Sequence, residues 1–234
     1  MESTYPEAPF LRTAIADGVL TVTFDNPSRR NALDDEAVAA LIGTLDRAQT
    51  DEVVRAVLIT GAGSDFCSGF DIIGRNAGAG ERPRVGQIQR RLPKQAHRLI
   101  PQLLELQLPV VTAVSGYAVG IGLQLVLACD FAVVAQGAQL WEPFAQRGMA
   151  PDSGAAWLLP RLVGPLRARQ LLMLGRRLSG AEAAEWGIAH ACVDDTDVAA
   201  TARELAEQLA SGPTVALGLT KWLISSGQEQ PLKD

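Results

Sequence analysis

The stretch "YAVGIGLQLVLACD", Tyr117 to Asp130, puts Gly120 and Gly122 at the mouth of an apolar run of helical length, with one amide, Gln124, inside it. A second glycine junction, Gly69-Phe70-Asp71, follows another hydrophobic strand. At such a strand-to-helix junction a glycine lets main-chain N–H groups point outward, and two of these aimed at one point form an oxyanion hole, worth about 10²–10³ in rate per donor. Either junction alone reads as a tight turn; two of them, each after a buried strand, carry the sharper reading.

Other chemistries fail on the residues themselves. Gly116, Gly120 and Gly122 lack the third glycine of a dinucleotide fingerprint, and the loop with Gly61, Gly63 and Gly69 lacks the Lys-Ser/Thr pair of a phosphate loop. Neither Ser68 nor Ser153 lies in a G-x-S-x-G elbow. His97 and His190 are the only histidines, and Cys67, Cys129 and Cys192 are far apart without C-x-x-C spacing, so no metal site is expected and a histidine triad is poorly supplied. An odd number of scattered cysteines fits reduced thiols in a cytoplasmic protein.

The elements that must position these groups follow from periodicity. "GVLTVTFD" (18–25) alternates as a half-buried strand does. Asp34 is placed as the N-cap of an amphipathic helix through Val38, Leu41, Ile42 and Leu45, and "RAVLIT" (55–60) is a buried strand. This order predicts a parallel pair joined by a right-handed crossover. "LPVVTAVSG" (108–116) is the next strand, and "FAVVAQGAQLW" reads as a strand and turn. Residues 74–98 break the rhythm with glycines, prolines and six basic residues between Arg82 and Arg98; either a solvated helix face or a border to an anionic ligand accounts for them. The C-terminal part is helical, with Ser179 and Glu182 at capping-box spacing and Gly187 as the stop.

With 234 residues, 47% hydrophobic and 20% charged, the chain is expected to be a globular protein with an ample core. A net charge of −5 argues against nucleic-acid binding, and no apolar run reaches the roughly 18 residues that span a bilayer. No secretory signal is read in the first residues.

At the two glycine junctions the chain resembles the crotonase superfamily, the enoyl-CoA hydratase/isomerase family. "NPSRRNAL" is similar to that family's N-terminal turn, "AVLITGAGSDFCSGFDI" to the segment with the first oxyanion N–H, and "PVVTAVSGYAVGIGLQLVLACDF" to the segment with the second. "GMAPDSGAAWLLPRLVG" and "GRRLSGAEAAEWGIAHACV" resemble later family segments in the right order.

The resemblance implies an α/β fold, a spiral of ββα repeats over residues 1–190, with a helical C-terminal part over 191–234 that is shorter than usual for the family. It implies a homotrimer or dimer of trimers, and an acyl-CoA thioester as substrate, coenzyme A being part of the substrate rather than a cofactor. Backbone N–H groups of Phe70 and Ile121 would hold the thioester oxygen. Arg30, Ala32, Leu33, Ser68, Asp71 and Ile72 would line the CoA path; Gly120, Gln124, Trp141 and Phe144 would border the acyl group.

Hydratases of this family carry glutamates at the positions of Gln124 and Phe144. A neutral amide orients water without taking its proton, and a phenyl ring does neither; losing acid–base help costs about 10²–10⁴ per role. Asp152 occupies a position from which some family isomerases and an aryl-CoA dehalogenase subgroup act. Amid Trp141, Phe144 and Trp157 its carboxylate is expected to be poorly solvated, with a raised pKa. The other account of Asp152 is an N-cap for the helix starting near Ser153. His97 is expected on a helix surface, or, by resemblance to the dehalogenases, beside the aspartate. Double-bond isomerisation with Asp152 as proton shuttle is thus expected; a weak hydratase, a dehalogenase-like hydrolase and a non-catalytic acyl-CoA carrier are the alternatives.

Overall fold

The computed structural model describes residues 5, 6, 8–71 and 96–227. The spine is a six-stranded sheet in the order β1-β2-β3-β4-β6-β9. β1 (Leu11–Ala16) and β2 (Val19–Phe24) are antiparallel about Asp17-Gly18, both at positive φ (53° and 75°). Two successive left-handed residues match the twist of a two-residue hairpin, which is why Asp-Gly serves there. From β2 onward every pair is parallel: β3 (Ala56–Gly61), β4 (Val110–Val114), β6 (Phe131–Ala135) and β9 (Ala191–Val193). The expected pairing of the strands around residues 18–25 and 55–60 is therefore present, with Val19 opposite Ala56.

A second sheet of three short strands, β5 (Tyr117–Val119), β7 (Gln139–Trp141) and β8 (Leu178–Ser179), stands beside the first. The chain turns from β4 into β5 at Ser115-Gly116, and from β6 into β7 at Gln136-Gly137-Ala138, so each coil contributes one strand to each sheet before a helix. This is the ββα spiral. Gly116 makes the first corner possible: at φ 56°, a Cβ there would lie 2.2 Å from the Ser64 carbonyl oxygen.

Helix α1 (Asp35–Ala48) starts where expected, Asp34 accepting the Ala37 N–H at 2.8 Å. Such a cap stabilises a helix by about 1 kcal/mol. α2 (Ala96–Glu105) packs on α1, its Arg98 pairing in bidentate fashion with Asp46 of α1 at 2.7 and 2.8 Å. Arg98 is the described end of the basic segment, and its charge is thus committed to α1. The rest of that segment lies outside the described residues.

α3 (Ile121–Ala128) is the apolar run of the opening, and all eight of its residues are buried. α4 (Ala155–Leu172) breaks at Gly164 (φ 79°, ψ 162°) just before Pro165. α5 (Gly180–Glu185) has the full capping box, Ser179 and Glu182 exchanging hydrogen bonds, and Gly187 follows at φ 78°. α6 (Val198–Ser211) covers β3 and β4, and α7 (Thr214–Gly227) closes the described chain. Lys221 of α7, nearly buried, reaches Asp130 at 2.8 Å, and the same carboxylate oxygen accepts the Val110 N–H. α7 is thereby tied to the foot of α3 and the start of β4. Among the described residues no helix is long and apolar enough to cross a membrane.

Candidate active site

The two glycine junctions lie side by side. Cys67 pairs with Ala118 of β5, its N–H donating to the Tyr117 carbonyl and its carbonyl accepting from Val119. Three residues later Leu33 pairs with Phe70: Leu33 N–H donates to the Gly69 carbonyl, and Asp71 N–H to the Leu33 carbonyl. That bridge uses the groups on one edge of the segment and turns the Phe70 N–H to the opposite edge, toward β5 and Gly120. Gly69, at φ 102°, permits the approach, since a Cβ there would meet the Val119 carbonyl oxygen at 3.0 Å.

On the other side, Gly120 N–H donates to the Trp141 carbonyl at 3.0 Å, and the Gly120 carbonyl receives the Gln124 N–H. With φ 54° and ψ −122°, Gly120 has a conformation closed to other residues, and it aims the first helical amide, Ile121, out of the turn. Neither the Phe70 nor the Ile121 N–H donates to a backbone carbonyl among the described residues. Among the described residues no atom outside its immediate neighbours lies within 4 Å of a hypothetical Cβ on Gly120. Behind it the packing is tight: a Cβ on Gly122 would sit 2.5 Å from the Cys67 carbonyl oxygen, so α3 rests directly on the Cys67 strand. Burial pushes the Cys67 thiol up to about 12, with the Gly69 N–H pulling weakly the other way, so the thiol stays protonated and serves as packing.

The turn from Asn26 to Leu33 is fastened to this wall by Asn31, buried and at φ 55°. Its amide donates to the Ala62 and Asp65 carbonyls and its oxygen accepts the Asn26 N–H. Ser68 N–H then donates to the Arg30 carbonyl and Ser68 Oγ to the Arg29 carbonyl. Arg30 stacks on Tyr117 (4.7 Å) and stands 4.0 Å from Asp65, while Arg29 pairs with Asp71 at 2.7 Å. Leu33, Phe70 and Asp71 line one cavity of about 560 Å³ together with Asn26, Ser28 and Arg29. Ala32 sits in the same turn, its N–H bonded to the Arg29 carbonyl. Ile72 lies outside the described residues.

Gln124 projects from the first turn of α3 and is 1% exposed, with neither amide atom in a hydrogen bond of ordinary geometry among the described residues. Glu142, fully buried, lies close enough for the Gln124 side chain to act on its carboxyl, though neither carboxyl oxygen meets ordinary hydrogen-bond geometry among the described residues. Burial drives the Glu142 pKa well above its ordinary 4.5; the nearby Gln124 amide offsets part of this, and the charge of Asp152 adds to it. Phe144, two residues on, is buried. The ring of Trp141 turns elsewhere, its Nε1–H donating to the Gly175 carbonyl at 3.0 Å and its face covered by Arg177, so its link to the junction is its carbonyl.

Asp152 differs from expectation in two respects. Its side chain is 52% exposed, not desolvated by the aromatic residues: Trp157 is itself partly exposed and stacked with Arg161. Nor does its carboxylate cap a helix, because α4 begins at Ala155 behind Gly154 with no side-chain cap. Ser153 and Gly154, both at positive φ (46° and 88°), make a strained corner that sets the aspartate apart from the helix. His97 lies on α2 with its side chain 36% exposed and also comes beside the aspartate, its Nε2 4.0 Å from the Asp152 carboxylate and without a hydrogen-bond partner among the described residues. His97 and Ser153 share an apolar cavity of about 380 Å³ with Ile100, Leu104 and Trp157.

The Glu142 carboxyl carries a pH prediction. The unfolded chain loses this proton near 4.5 while the fold retains it, so above that pH the native state binds more protons and rising pH works against folding. Urea unfolding of wild type and Glu142→Leu from pH 4.5 to 7.5 is expected to show wild type losing up to about 1.4 kcal/mol per pH unit relative to the variant. Parallel curves would rule out a proton held in the fold.

Comparison with known proteins bears on the chemistry. A sequence profile of the enoyl-CoA hydratase/isomerase family matches residues 14–232. The chain is 39% identical over 224 residues to a 1,2-epoxyphenylacetyl-CoA isomerase of Escherichia coli (strain K12), covering 95% of this chain and 84% of the relative. It is 34% identical over 217 residues to 4-chlorobenzoyl coenzyme A dehalogenase-1 of an Arthrobacter species, covering 93% and 78%. The crystal structure of an enoyl-CoA hydratase from Bacillus anthracis superposes with a TM-score of 0.88 at 30% identity, over 95% of this chain and 85% of that one. With the spiral fold and paired junctions already in place, the chain belongs to the enoyl-CoA hydratase/isomerase family of the crotonase superfamily.

Proposed function

We propose that the protein is an acyl-CoA isomerase that moves a double bond through a thioester enolate. The observations that support this are the two main-chain amides, Phe70 and Ile121, that donate to no backbone carbonyl among the described residues, and the exposed carboxylate of Asp152, whose charge acts on Glu142 beside Gln124 of α3. The amides stabilise the oxygen as negative charge develops on it, which lowers the barrier to removing a proton from the adjacent carbon. Asp152 takes that proton and returns it to another carbon of the same chain. The cavity bordered by Leu33, Phe70 and Arg29 receives the CoA portion. A relative named as an isomerase supports this reading; others are named as a dehalogenase and a probable hydratase.

His97 favours a second reading. An imidazole 4.0 Å from an aspartate is placed to activate water against an aryl-aspartyl ester, formed when Asp152 displaces halide from the ring and cleaved by water to the hydroxyaryl product and free Asp152. A panel of enoyl- and aryl-CoA esters in deuterated water, with wild type and Asp152→Asn, separates the two by mass spectrometry. Deuterium uptake or double-bond movement lost in the variant supports the isomerase. Binding with neither in wild type leaves a carrier.

The protein is proposed to act as a trimer. Val215, Trp222, Leu223 and Ile224 on α7 and Leu166 on α4 are each more than half exposed, an apolar surface that further copies of the chain would cover. Trp222→Glu with Leu223→Glu is expected to yield monomers by sedimentation; unchanged assembly would place the interface elsewhere.

A further inference from the structure

His97 is one end of a longer feature. With Pro101, Leu104 and Glu105 it makes one face of α2, at i, i+4, i+7 and i+8, and this face walls the cavity that His97 shares with Ser153. The wall runs about 12 Å from His97 to Glu105 at a helical rise of 1.5 Å per residue. The opposite wall is the Ser153 corner and the first turn of α4, with Trp157 and Leu158. Both α2 and α4 pack on α3, the helix that starts at Ile121, and Ser153 leads into the cavity directly from Asp152.

The cavity changes character along its length. Its polar members His97 and Ser153 stand beside Asp152, whose carboxylate is 4.0 Å from the imidazole. Beyond them the lining is Ile100, Leu104, Trp157 and Leu158, and charge returns only at Glu105. The indole of Trp157 is steadied by Arg161, 3.9 Å over its ring. A reacting carbon at the aspartate would therefore leave the remainder of its acyl group among apolar side chains.

Size then selects among apolar groups. A cavity of roughly 150 Å³ holds benzene. The volume of about 380 Å³ here admits such a ring together with the carbons that link it. An unbranched chain, one methylene wide, would leave part of that volume empty and forfeit contacts with its lining.

We infer that this cavity receives the far end of the acyl group and fits an aromatic ring carried on a short chain, the group of an arylalkanoyl-CoA. The inference rests on the reading of an acyl-CoA site with Asp152 as its reacting group. It adds the class of acyl group, with Leu104 and Trp157 as the residues that select it.

Calorimetric titration of the full chain with 4-phenylbutanoyl-CoA and decanoyl-CoA, which have equal numbers of acyl carbons, tests it. The aryl ester is expected to bind about two- to tenfold tighter, the gain that ring pairing adds to area burial. Leu104→Trp should erase the difference, because a helical side chain lies back over the preceding turn and the larger ring would occupy the space beside Pro101. Trp157→Leu keeps an apolar wall without a ring face and should weaken the aryl ester more than decanoyl-CoA. Both positions are partly exposed, so both variants are expected to keep the fold. Equal or tighter binding of decanoyl-CoA by wild type, or an aryl preference undiminished in either variant, overturns the proposal. Deuterium exchange next to the thioester, followed on the same samples, keeps the two readings apart. Exchange without aryl preference removes the cavity's role and spares the isomerase, preference without exchange does the reverse, and binding of neither ester removes both.

Discussion

Asp152→Asn is expected to lower the rate of deuterium exchange and double-bond movement by about 10²–10⁴, the contribution of a placed acid–base group, while the CoA ester still binds. The substitution is close to isosteric, and the side chain is 52% exposed and caps no helix, so the fold has little stake in its charge. A fall in turnover without loss of binding therefore isolates chemistry from structure. If Asp152 acts instead as a nucleophile, heavy oxygen from labelled water enters its carboxylate during turnover of a halogenated aryl ester, and His97→Asn lets the covalent ester accumulate. Full activity in Asp152→Asn would remove both mechanisms.

The second large effect is at Gly120. Ala at φ 54° and ψ −122° meets no neighbouring atom among the described residues, so any loss of stability comes from the backbone alone. Holding a residue with a Cβ in so sparsely populated a conformation costs about 1–3 kcal/mol. Relaxing it rotates the peptide that aims Ile121, and the methyl enters the volume where the thioester would lie. Turnover should fall by about 10²–10³, the value of one oxyanion donor. Gly122→Ala provides the contrast, since its Cβ would collide with the Cys67 carbonyl and drive α3 from the neighbouring strand. That variant should lose thermal stability more than Gly120→Ala does. Normal turnover in Gly120→Ala would mean the Ile121 amide has no part in the reaction.

Features set by neighbours in sequence were the legible ones. The Asp34 cap, the Ser179–Glu182 box and the Gly187 stop depend on contacts within a few residues, and each stands where its spacing places it. Both glycine junctions were legible for the same reason. The second sheet was not: β5, β7 and β8 have two or three residues each and exist because the spiral brings them together. β1 escaped notice although Asp17-Gly18 is a hairpin signal, because the strand was taken to start at the glycine. At the site, the weight of Glu142 depends on Gln124, eighteen positions away, lying close to it in a buried space, and the place of His97 depends on how α2 meets the strained corner at Ser153. Local pattern carries neither. The expected desolvation of Asp152 failed because aromatic residues near it in sequence point to Gly175 and Arg161.

The proposed grip on the thioester uses peptide N–H groups, which no codon specifies. Substitution at Phe70 or Ile121 exchanges a side chain and leaves the donor in place; among nearby positions, glycines 69, 120 and 122 are where a single base change would disturb it. Gln124, Glu142, Phe144 and Asp152 have no such protection, and each can mutate without dismantling the carbonyl-activating frame. Descendants of one ancestral spiral could therefore exchange acids, amides and rings around a constant electrophile, acquiring new reactions by drift at four or five side chains.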